Sequence, residues 1–149
     1  MIVEAQITVS ASKAATWAKL ADIEHSASFI SGIEAIEIVH KPAQGLVGLR
    51  WKETRMLFGK PESVEKWITE AAEGEFYKTR AEHPGFVFLS TLRLAEGPGG
   101  VTLTSAHETL PQDWVAKLKS IPMVLFFKGV IRKALMADLN DLKAAAEGR

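Results

Sequence analysis

The sequence contains no cysteine, and this absence excludes several kinds of chemistry at once. Disulfide bridges, thiolate metal sites and cysteine nucleophiles all need the thiol group. The chain also has no excess of either charge, because 18 Lys and Arg residues balance 18 Asp and Glu residues. Since nucleic-acid-binding domains usually carry a basic excess, we expect no nucleic-acid partner.

Long apolar runs are missing as well. The most apolar stretch, residues 121–127, contains Pro122 and is far shorter than the roughly 20 residues that span a bilayer. Residues 1–10 enter a strand pattern directly, without the basic and apolar regions of a secretory signal. We therefore expect a cytoplasmic protein without stable membrane insertion. As for assembly, we expect a monomer or a homodimer.

What the sequence does contain is the composition of a globular protein, with 47% hydrophobic and 24% charged residues. A chain of 149 residues is long enough to bury most of its apolar surface without metals or disulfides. We expect one domain that spans residues 1–149.

A long helix is predicted at the C-terminus, over residues 120–147. Its apolar residues recur every three or four positions, as on one stripe of an α-helix. They are Val124, Phe127, Ile131, Leu135, Leu139 and Leu142. Ser120 is a suitable N-cap, Pro122 fits the first turn, and Gly148 marks the end.

Most of the preceding chain is predicted to form strands. Residues 2–9 alternate between apolar and polar, and two short helices follow over residues 13–20, capped by Ser12, and 24–29. Further strands are predicted at residues 33–40, 46–58, 63–69, 76–82, 86–94 and 101–109, with a helical turn or two at 112–119.

This order of elements predicts an α+β fold with a cavity. A twisted antiparallel sheet of so many strands curls, and the long helix is the element available to fill its concave side. Helix and sheet pack closely in the middle but not everywhere, so we expect a ligand cavity between them.

Residues over nearly the whole chain carry a resemblance to a known superfamily. They are Trp17, Leu20, Ala21, Asp22, Phe29, Gly32, Ile33, Gly48, Arg50, Trp51, Glu53, Arg55, Gly59, residues 64–70, Gly100, Val101, Thr102, Ala134, Leu135, Asp138, Leu139, Leu142 and Lys143. The pattern resembles the START/Bet v 1-like (SRPBCC) superfamily, in particular its polyketide cyclase/dehydrase and lipid-transport branch. The resemblance implies a helix-grip fold, in which a curved antiparallel sheet of about seven strands wraps around a long C-terminal helix, with two short helices after the first strand. Members range from carriers of lipids, sterols and hormones to cyclases and stress proteins, so the resemblance does not select one activity.

The third predicted strand offers an acidic and a basic side chain for a ligand. Trp51, Glu53 and Arg55 share one of its faces, because side chains alternate with period two. If this face points at the helix, Glu53 and Arg55 can pair with each other and contact a ligand head group. Two other interpretations stay open, namely a structural ion pair near the mouth and the opposite face, with Met56 and Phe58, pointing inward.

The last predicted strand offers a histidine. Leu103 and His107 share its apolar face, so His107 can look into the cavity, where it could act as a general acid or base. The alternative is a histidine satisfied at a strand end. The other three histidines lie in separate turns or strand ends, without the spacing of metal ligands, so we expect no metal site. No phosphate-binding or dinucleotide-binding motif is present, and we expect no cofactor.

The long helix is apolar over more of its surface than one stripe needs. Phe126, Phe127 and Val130 widen the patch, and we expect them at the cavity wall. A basic cluster of Lys128, Arg132 and Lys133 is either a solvated helix face or an attraction for an acidic membrane or ligand.

The function that we favour is non-catalytic binding of a hydrophobic or amphipathic small molecule of lipid, polyketide or aromatic type. The predicted ligand-binding residues are Trp51, Glu53, Arg55, Phe88, Leu103, His107, Phe126, Phe127 and Val130. Glu53, Arg55 and His107 orient the polar end of the ligand and the others supply apolar walls. One alternative is an enzyme of the polyketide cyclase/dehydratase type, with His107 or Glu53 as general acid or base. Another is an interaction module that uses a sheet edge or Trp67 on the outer face.

Overall fold

The structure, a computed structural model, describes residues 1–149, with the side chains of all of them except residues 120 and 123–126.

Seven strands and one long helix make up most of the fold. In chain order the elements are β1 (Ile2–Val9), α1 (Lys13–Leu20), a 3-10 helix (Ile23–Ser28), β2 (Ile33–His40), β3 (Arg50–Leu57), β4 (Lys60–Ala72), β5 (Phe76–His83), β6 (Phe86–Gly97), β7 (Gly100–Pro111) and α2 (Trp114–Ala146). The strands form one sheet in the order β1-β7-β6-β5-β4-β3-β2, and every neighbouring pair is antiparallel. The predicted α+β helix-grip fold is confirmed.

The first two strands of the chain lie at opposite edges of the sheet. β1 and β2 follow one another in the chain but lie at the two edges, with α1 and the 3-10 helix connecting them. The side chain of Ser12 caps α1 by accepting a hydrogen bond from the Ala15 amide at 3.0 Å, as predicted. β3 is shorter than predicted because the chain turns before it, with Gly48 at φ +93° and the Leu49 amide donating to the Leu46 carbonyl.

The long helix begins earlier than predicted. Asp113 is its N-cap, and the Asp113 carboxylate accepts a hydrogen bond from the Ala116 amide at 2.7 Å. Residues 114–119 are therefore the first turns of α2, and the prediction of a start at Ser120 is wrong. Pro122 lies inside the helix, where it forfeits one backbone hydrogen bond but has a backbone φ that suits the helix. The predicted end is confirmed, since α2 stops at Ala146 and Gly148 follows with φ +76°.

Among the described side chains of α2, those in the hydrophobic core lie in the second half of the helix. Leu139 and Leu142 are buried there against residues of the sheet and the short helices. In the first half, Ala116 is the one buried side chain among those described for residues 114–130. The core is thus dense at one end of the sheet and gives way to open space toward the other.

Candidate functional site

A cavity of about 370 Å³ lies between the sheet and α2. Its helix wall consists of Ile131, Ala134, Leu135, Asp138, Leu139 and Leu142, and its sheet wall includes Trp51, Tyr77 and Leu92. Leu20, Ile23 and Ile30, in and beside the short helices, close another side. Most of this lining is aliphatic or aromatic.

A second space, of about 670 Å³, adjoins the first. It is lined by residues of β3–β7, including His83 at the end of β5, and by the turn residue Phe58. Seven residues line both spaces, namely Glu53, Arg55, Leu57, Lys66, Thr79, Ser90 and His107. We call the first space the inner cavity and the second the outer cavity. Their common wall is predominantly polar.

Glu53 is the centre of this wall. It is only 5% exposed, yet its carboxylate accepts three hydrogen bonds, from Arg55 Nε at 2.7 Å, Lys66 Nζ at 3.0 Å and Trp51 Nε1 at 3.2 Å. Trp51, Glu53 and Arg55 alternate inward along β3, and the β3–β4 register places Lys66 beside Trp51. Burial by itself would raise the pKa of Glu53, but the charges of Lys66 and Arg55 outweigh it and lower the pKa to about 2.

Arg55 connects this part of the sheet to α2. Its two terminal nitrogens donate to the two carboxylate oxygens of Asp138 at 3.1 and 2.7 Å, while its Nε holds Glu53. Burial lowers the pKa of Arg55, but the hydrogen bonds and charges of Asp138 and Glu53 raise it above its ordinary value. Glu53, Arg55, Lys66 and Asp138 form one charged cluster with two cations, two carboxylates and no net charge.

The charged cluster settles which face of β3 points inward. Glu53 and Arg55 lie inside, whereas Met56 and Phe58 are exposed. The predicted pairing of Glu53 with Arg55 is present, but sequence reasoning missed Lys66 and Asp138. Both carried a signal: Lys66 lies two residues before the inward Ile68 and so shares its face of β4, and Asp138 interrupts the apolar stripe of α2 one position before Leu139.

His107 lies in the common wall on β7. Its Nδ1 is 3.1 Å from Ser90 Oγ on the neighbouring strand, and the Phe88 ring stacks on its imidazole with centroids 5.9 Å apart. Burial and, to a smaller degree, the charge of Lys66 lower the pKa of His107 to about 4. The imidazole is therefore neutral near pH 7 and can offer a hydrogen-bond donor or acceptor, depending on its tautomer.

Hydroxyl groups extend this polar lining across the sheet. Thr79, Ser90 and His107 are register partners on β5, β6 and β7, and Tyr77 and Ser105 lie one row further in. Burial first, and then the nearby carboxylates of Glu53 and Asp138, raise the pKa of Tyr77, so its phenol stays protonated. The inner cavity thus combines apolar walls with a row of neutral hydrogen-bonding groups.

The remaining predicted site residues lie elsewhere. Phe88 lines the outer cavity only, and Leu103 is fully buried in the core, where β7 is flanked by β1 and β6. Phe127 and Val130 are exposed and line neither cavity. The residues of α2 that point toward the sheet nearby are Ile131 and Leu135. Leu103, Phe127 and Val130 are therefore not part of the cavity lining, and their role in ligand binding stays a prediction. The Phe126 side chain lies outside the described residues.

In the part of the chain that the structure describes, no three His, Asp or Glu side chains form a group that could hold a metal ion. No helix in that part has both the length and the apolar character that crossing a membrane requires.

Residues 1–147 match the model of the family described as polyketide cyclase/dehydrase and lipid transport, and the chain belongs to this family. Solved structures share its fold. An aromatase/cyclase from Streptomyces, Zhui, is 18% identical with a TM-score of 0.81, over 100% of this chain and 94% of that one. A protein from Thermus thermophilus is 12% identical with a TM-score of 0.81, over 99% and 98% of the two chains. A START superfamily protein from Mycobacterium smegmatis is 16% identical with a TM-score of 0.70, over 99% and 95%. No curated protein sequence matches this chain.

The buried His107 predicts a loss of stability in mild acid. Its pKa is about 4 in the folded protein and about 6.5 in an unfolded chain, so the unfolded state binds the proton first. The free energy of unfolding should therefore fall by roughly 3 kcal/mol between pH 6.5 and 4, at 1.36 kcal/mol per pKa unit. Urea unfolding across this range should show the slope in the wild type and in the exposed-site control His40→Gln, but not in His107→Gln. An equal slope in all three would contradict the buried, neutral state of His107.

Proposed function

We propose that the chain binds a hydrophobic or amphipathic small molecule, of lipid, polyketide or aromatic type, between the sheet and α2. The inner cavity is the observation that carries this proposal. Protein cores are close-packed and leave few voids larger than a water molecule, whereas ligand pockets usually have volumes of about 300–1,000 Å³. A space of about 370 Å³ with mostly apolar walls is of the second kind.

The polar wall favours a ligand whose polar end is neutral. The cations of the charged cluster are already matched by Glu53 and Asp138, so a ligand carboxylate would meet no excess positive charge. His107 and the hydroxyls of Tyr77 and Ser105 offer neutral donors and acceptors instead. Keto and hydroxyl groups on an apolar or aromatic skeleton match this lining best. The description of the family as polyketide cyclase/dehydrase and lipid transport supports the same class of ligand.

Native extraction tests the binding function directly. The protein is purified from its host without denaturation and analysed by native mass spectrometry for a bound organic molecule. In parallel, uptake of an environment-sensitive naphthalene dye and of a fluorescent fatty acid is measured by titration. A bound molecule, or saturable uptake of either probe, supports the proposal. A protein that carries nothing and takes up neither probe contradicts it.

A second candidate function is catalysis of the cyclase/dehydratase type. The neutral His107, beside Ser90 and open to both cavities, is the observation that favours it, because a general base must be deprotonated at working pH. Glu53 is the weaker of the two bases considered, since its three hydrogen bonds and its pKa of about 2 make it a poor proton acceptor. The similar structure of an aromatase/cyclase supports this reading at the level of the fold.

If the chain is such an enzyme, His107→Gln should lower kcat on a poly-β-ketone substrate by about 10²–10⁴-fold, the usual contribution of a general base. Activity should be level above about pH 5, where the imidazole is neutral, and should decline toward pH 4. Rates are measured by the appearance of the aromatic chromophore, with His40→Gln as the control. Turnover that survives both His107→Gln and Glu53→Gln would reject these roles.

A further inference from the structure

Lys66 places an amino group in the wall between the inner and the outer cavity. The structure describes all twelve lysines of the chain, and Lys66 is the only one of them that lines both cavities. Its side chain is 26% exposed and projects from β4 on the same face as the buried Ile68. Lysine side chains usually extend their charged end into bulk water. The position of Lys66 in a mostly apolar cavity is therefore unusual.

A single carboxylate holds the Lys66 ammonium group. Its Nζ donates to Glu53 Oε2 at 3.0 Å, and Glu53 is its only hydrogen-bond or ion-pair partner among the described residues. An ammonium group can donate three hydrogen bonds, so most of its capacity is unused by the protein. Arg55, by contrast, is engaged through Nε and both terminal nitrogens. Of the two cations in the charged cluster, Lys66 thus has fewer protein contacts.

A lysine nitrogen in such a site can bond covalently to a carbonyl carbon. The amine adds to an aldehyde, water leaves, and a C=N bond replaces the C=O bond. Starting from the ammonium form, the balanced step converts ammonium and aldehyde into protonated imine and water, so one positive charge is present before and after. Glu53, which is ionised, can pair with the protonated imine as it pairs with the ammonium group. The charged cluster therefore stays neutral through the reaction.

His107 can carry the proton that must leave the ammonium group before it adds. It lines both cavities, as Lys66 does, and the charge of Lys66 contributes to lowering the pKa of His107. In the tautomer whose Nδ1 donates to Ser90 Oγ, the other ring nitrogen, Nε2, has no hydrogen-bond partner among the residues that the structure describes. This nitrogen can accept the proton and return it to the hydroxyl group that leaves as water.

We propose that Lys66 captures a hydrophobic aldehyde as a reversible protonated imine, with Glu53 as the counter-ion. The aldehyde has an aromatic or aliphatic skeleton, because apolar side chains line the cavities on both sides of Lys66. They include Trp51 and Leu92 in the inner cavity and Phe88 in the outer cavity. Covalent capture rests on the binding function proposed above, since the same cavities hold the aldehyde.

Reductive trapping tests the capture of an aldehyde. The full chain is incubated at neutral pH with a slight excess of a dimethylaminonaphthaldehyde, and sodium cyanoborohydride converts any imine into a stable secondary amine. Intact mass spectrometry should show one added probe per chain, with the mass of the aldehyde less one oxygen atom, and peptide mapping should locate it on Lys66. Before reduction, the absorption of the probe should shift to longer wavelength, because a protonated imine withdraws more electron density from the naphthalene than the aldehyde does.

Two matched variants separate Lys66 from the other lysines. Lys66→Arg keeps a cation beside Glu53 but cannot form the imine, so incorporation of the probe should fall by about tenfold or more. Lys52→Arg changes an exposed lysine on the neighbouring strand β3 and should leave incorporation unchanged. Thermal unfolding shows whether both variants are folded. If Lys66→Arg is not, peptide mapping of the wild type still compares Lys66 with the other lysines in one molecule.

The corresponding naphthalene alcohol distinguishes covalent capture from simple binding. It has the same skeleton without the carbonyl group, so it should bind and slow the labelling of Lys66. If the alcohol binds but the aldehyde is not captured, imine formation is overturned while the binding function stands. Labelling spread evenly over the lysines, or unchanged incorporation in Lys66→Arg, also overturns it. If neither compound binds, covalent capture and the binding function both fail.

Discussion

Replacement of Arg55 by alanine is expected to lower the free energy of unfolding by about 3 kcal/mol, because it leaves two carboxylates without their shared cation. Glu53 loses the donor at 2.7 Å and Asp138 loses both of its contacts. The pKa of Glu53 points the same way: Lys66 and Arg55 together outweigh the effect of burial and lower this pKa from 4.5 to about 2, so the folded protein favours the charged carboxylate. Urea unfolding at pH 7 measures the change.

Two variants separate this effect from a general sensitivity to lost charge. Arg50→Ala removes an arginine from the outer face of the same strand, where Arg50 pairs with Glu65 and stacks on Trp67, and should cost less than about 1 kcal/mol. Arg55→Lys keeps the charge but cannot hold Asp138 with two parallel hydrogen bonds while also holding Glu53, so its loss should be intermediate. Equal losses in Arg50→Ala and Arg55→Ala would show that the buried cluster does not stabilise the fold.

The fold could be predicted from local patterns because several elements combine a regular spacing of apolar residues with a residue that marks where the element begins or ends. β1 and α1 have the predicted bounds, since alternation ends at Val9 and Ser12 supplies the cap. The start of α2 was predicted wrongly because two caps compete in the sequence. Ser120, with Pro122 two residues later, imitates a helix start, whereas Asp113 is the cap that the structure uses. A local pattern does not reveal which of the two is used.

The site was only partly predictable for a different physical reason. Alternation along one strand is enough to place Glu53 and Arg55 on the same face. Asp138 is 83 positions away from Arg55 in the chain, and their contact depends on how α2 lies across the sheet, which no local pattern encodes. The exposure of Phe127 and Val130 has the same origin. Helical periodicity shows that the first half of α2 is rich in apolar residues, but not which of them the sheet covers.

The largest effect on ligand binding is expected from Ala134→Trp, which should weaken it by roughly 70-fold. Ala134 lines the inner cavity from α2 and is also exposed, so a larger side chain can be accommodated without displacing the core. An indole there occupies space that the ligand would otherwise fill. If about 100 Å² of apolar ligand surface is no longer buried, the loss is on the order of 2.5 kcal/mol, which gives the stated factor. Titration of the naphthalene dye or of the fluorescent fatty acid measures the change in Kd.

Ala137→Trp provides the matched control. Ala137 lies one turn along the same helix, is exposed and lines neither cavity, so the same substitution there adds the same side chain outside the proposed site. Its Kd should stay within about twofold of the wild type, and both variants should unfold at similar urea concentrations. Because both variants add the same side chain to α2 but only Ala134 lines the inner cavity, a difference in binding locates the ligand between helix and sheet. If both variants bind as tightly as the wild type, the ligand does not occupy the inner cavity.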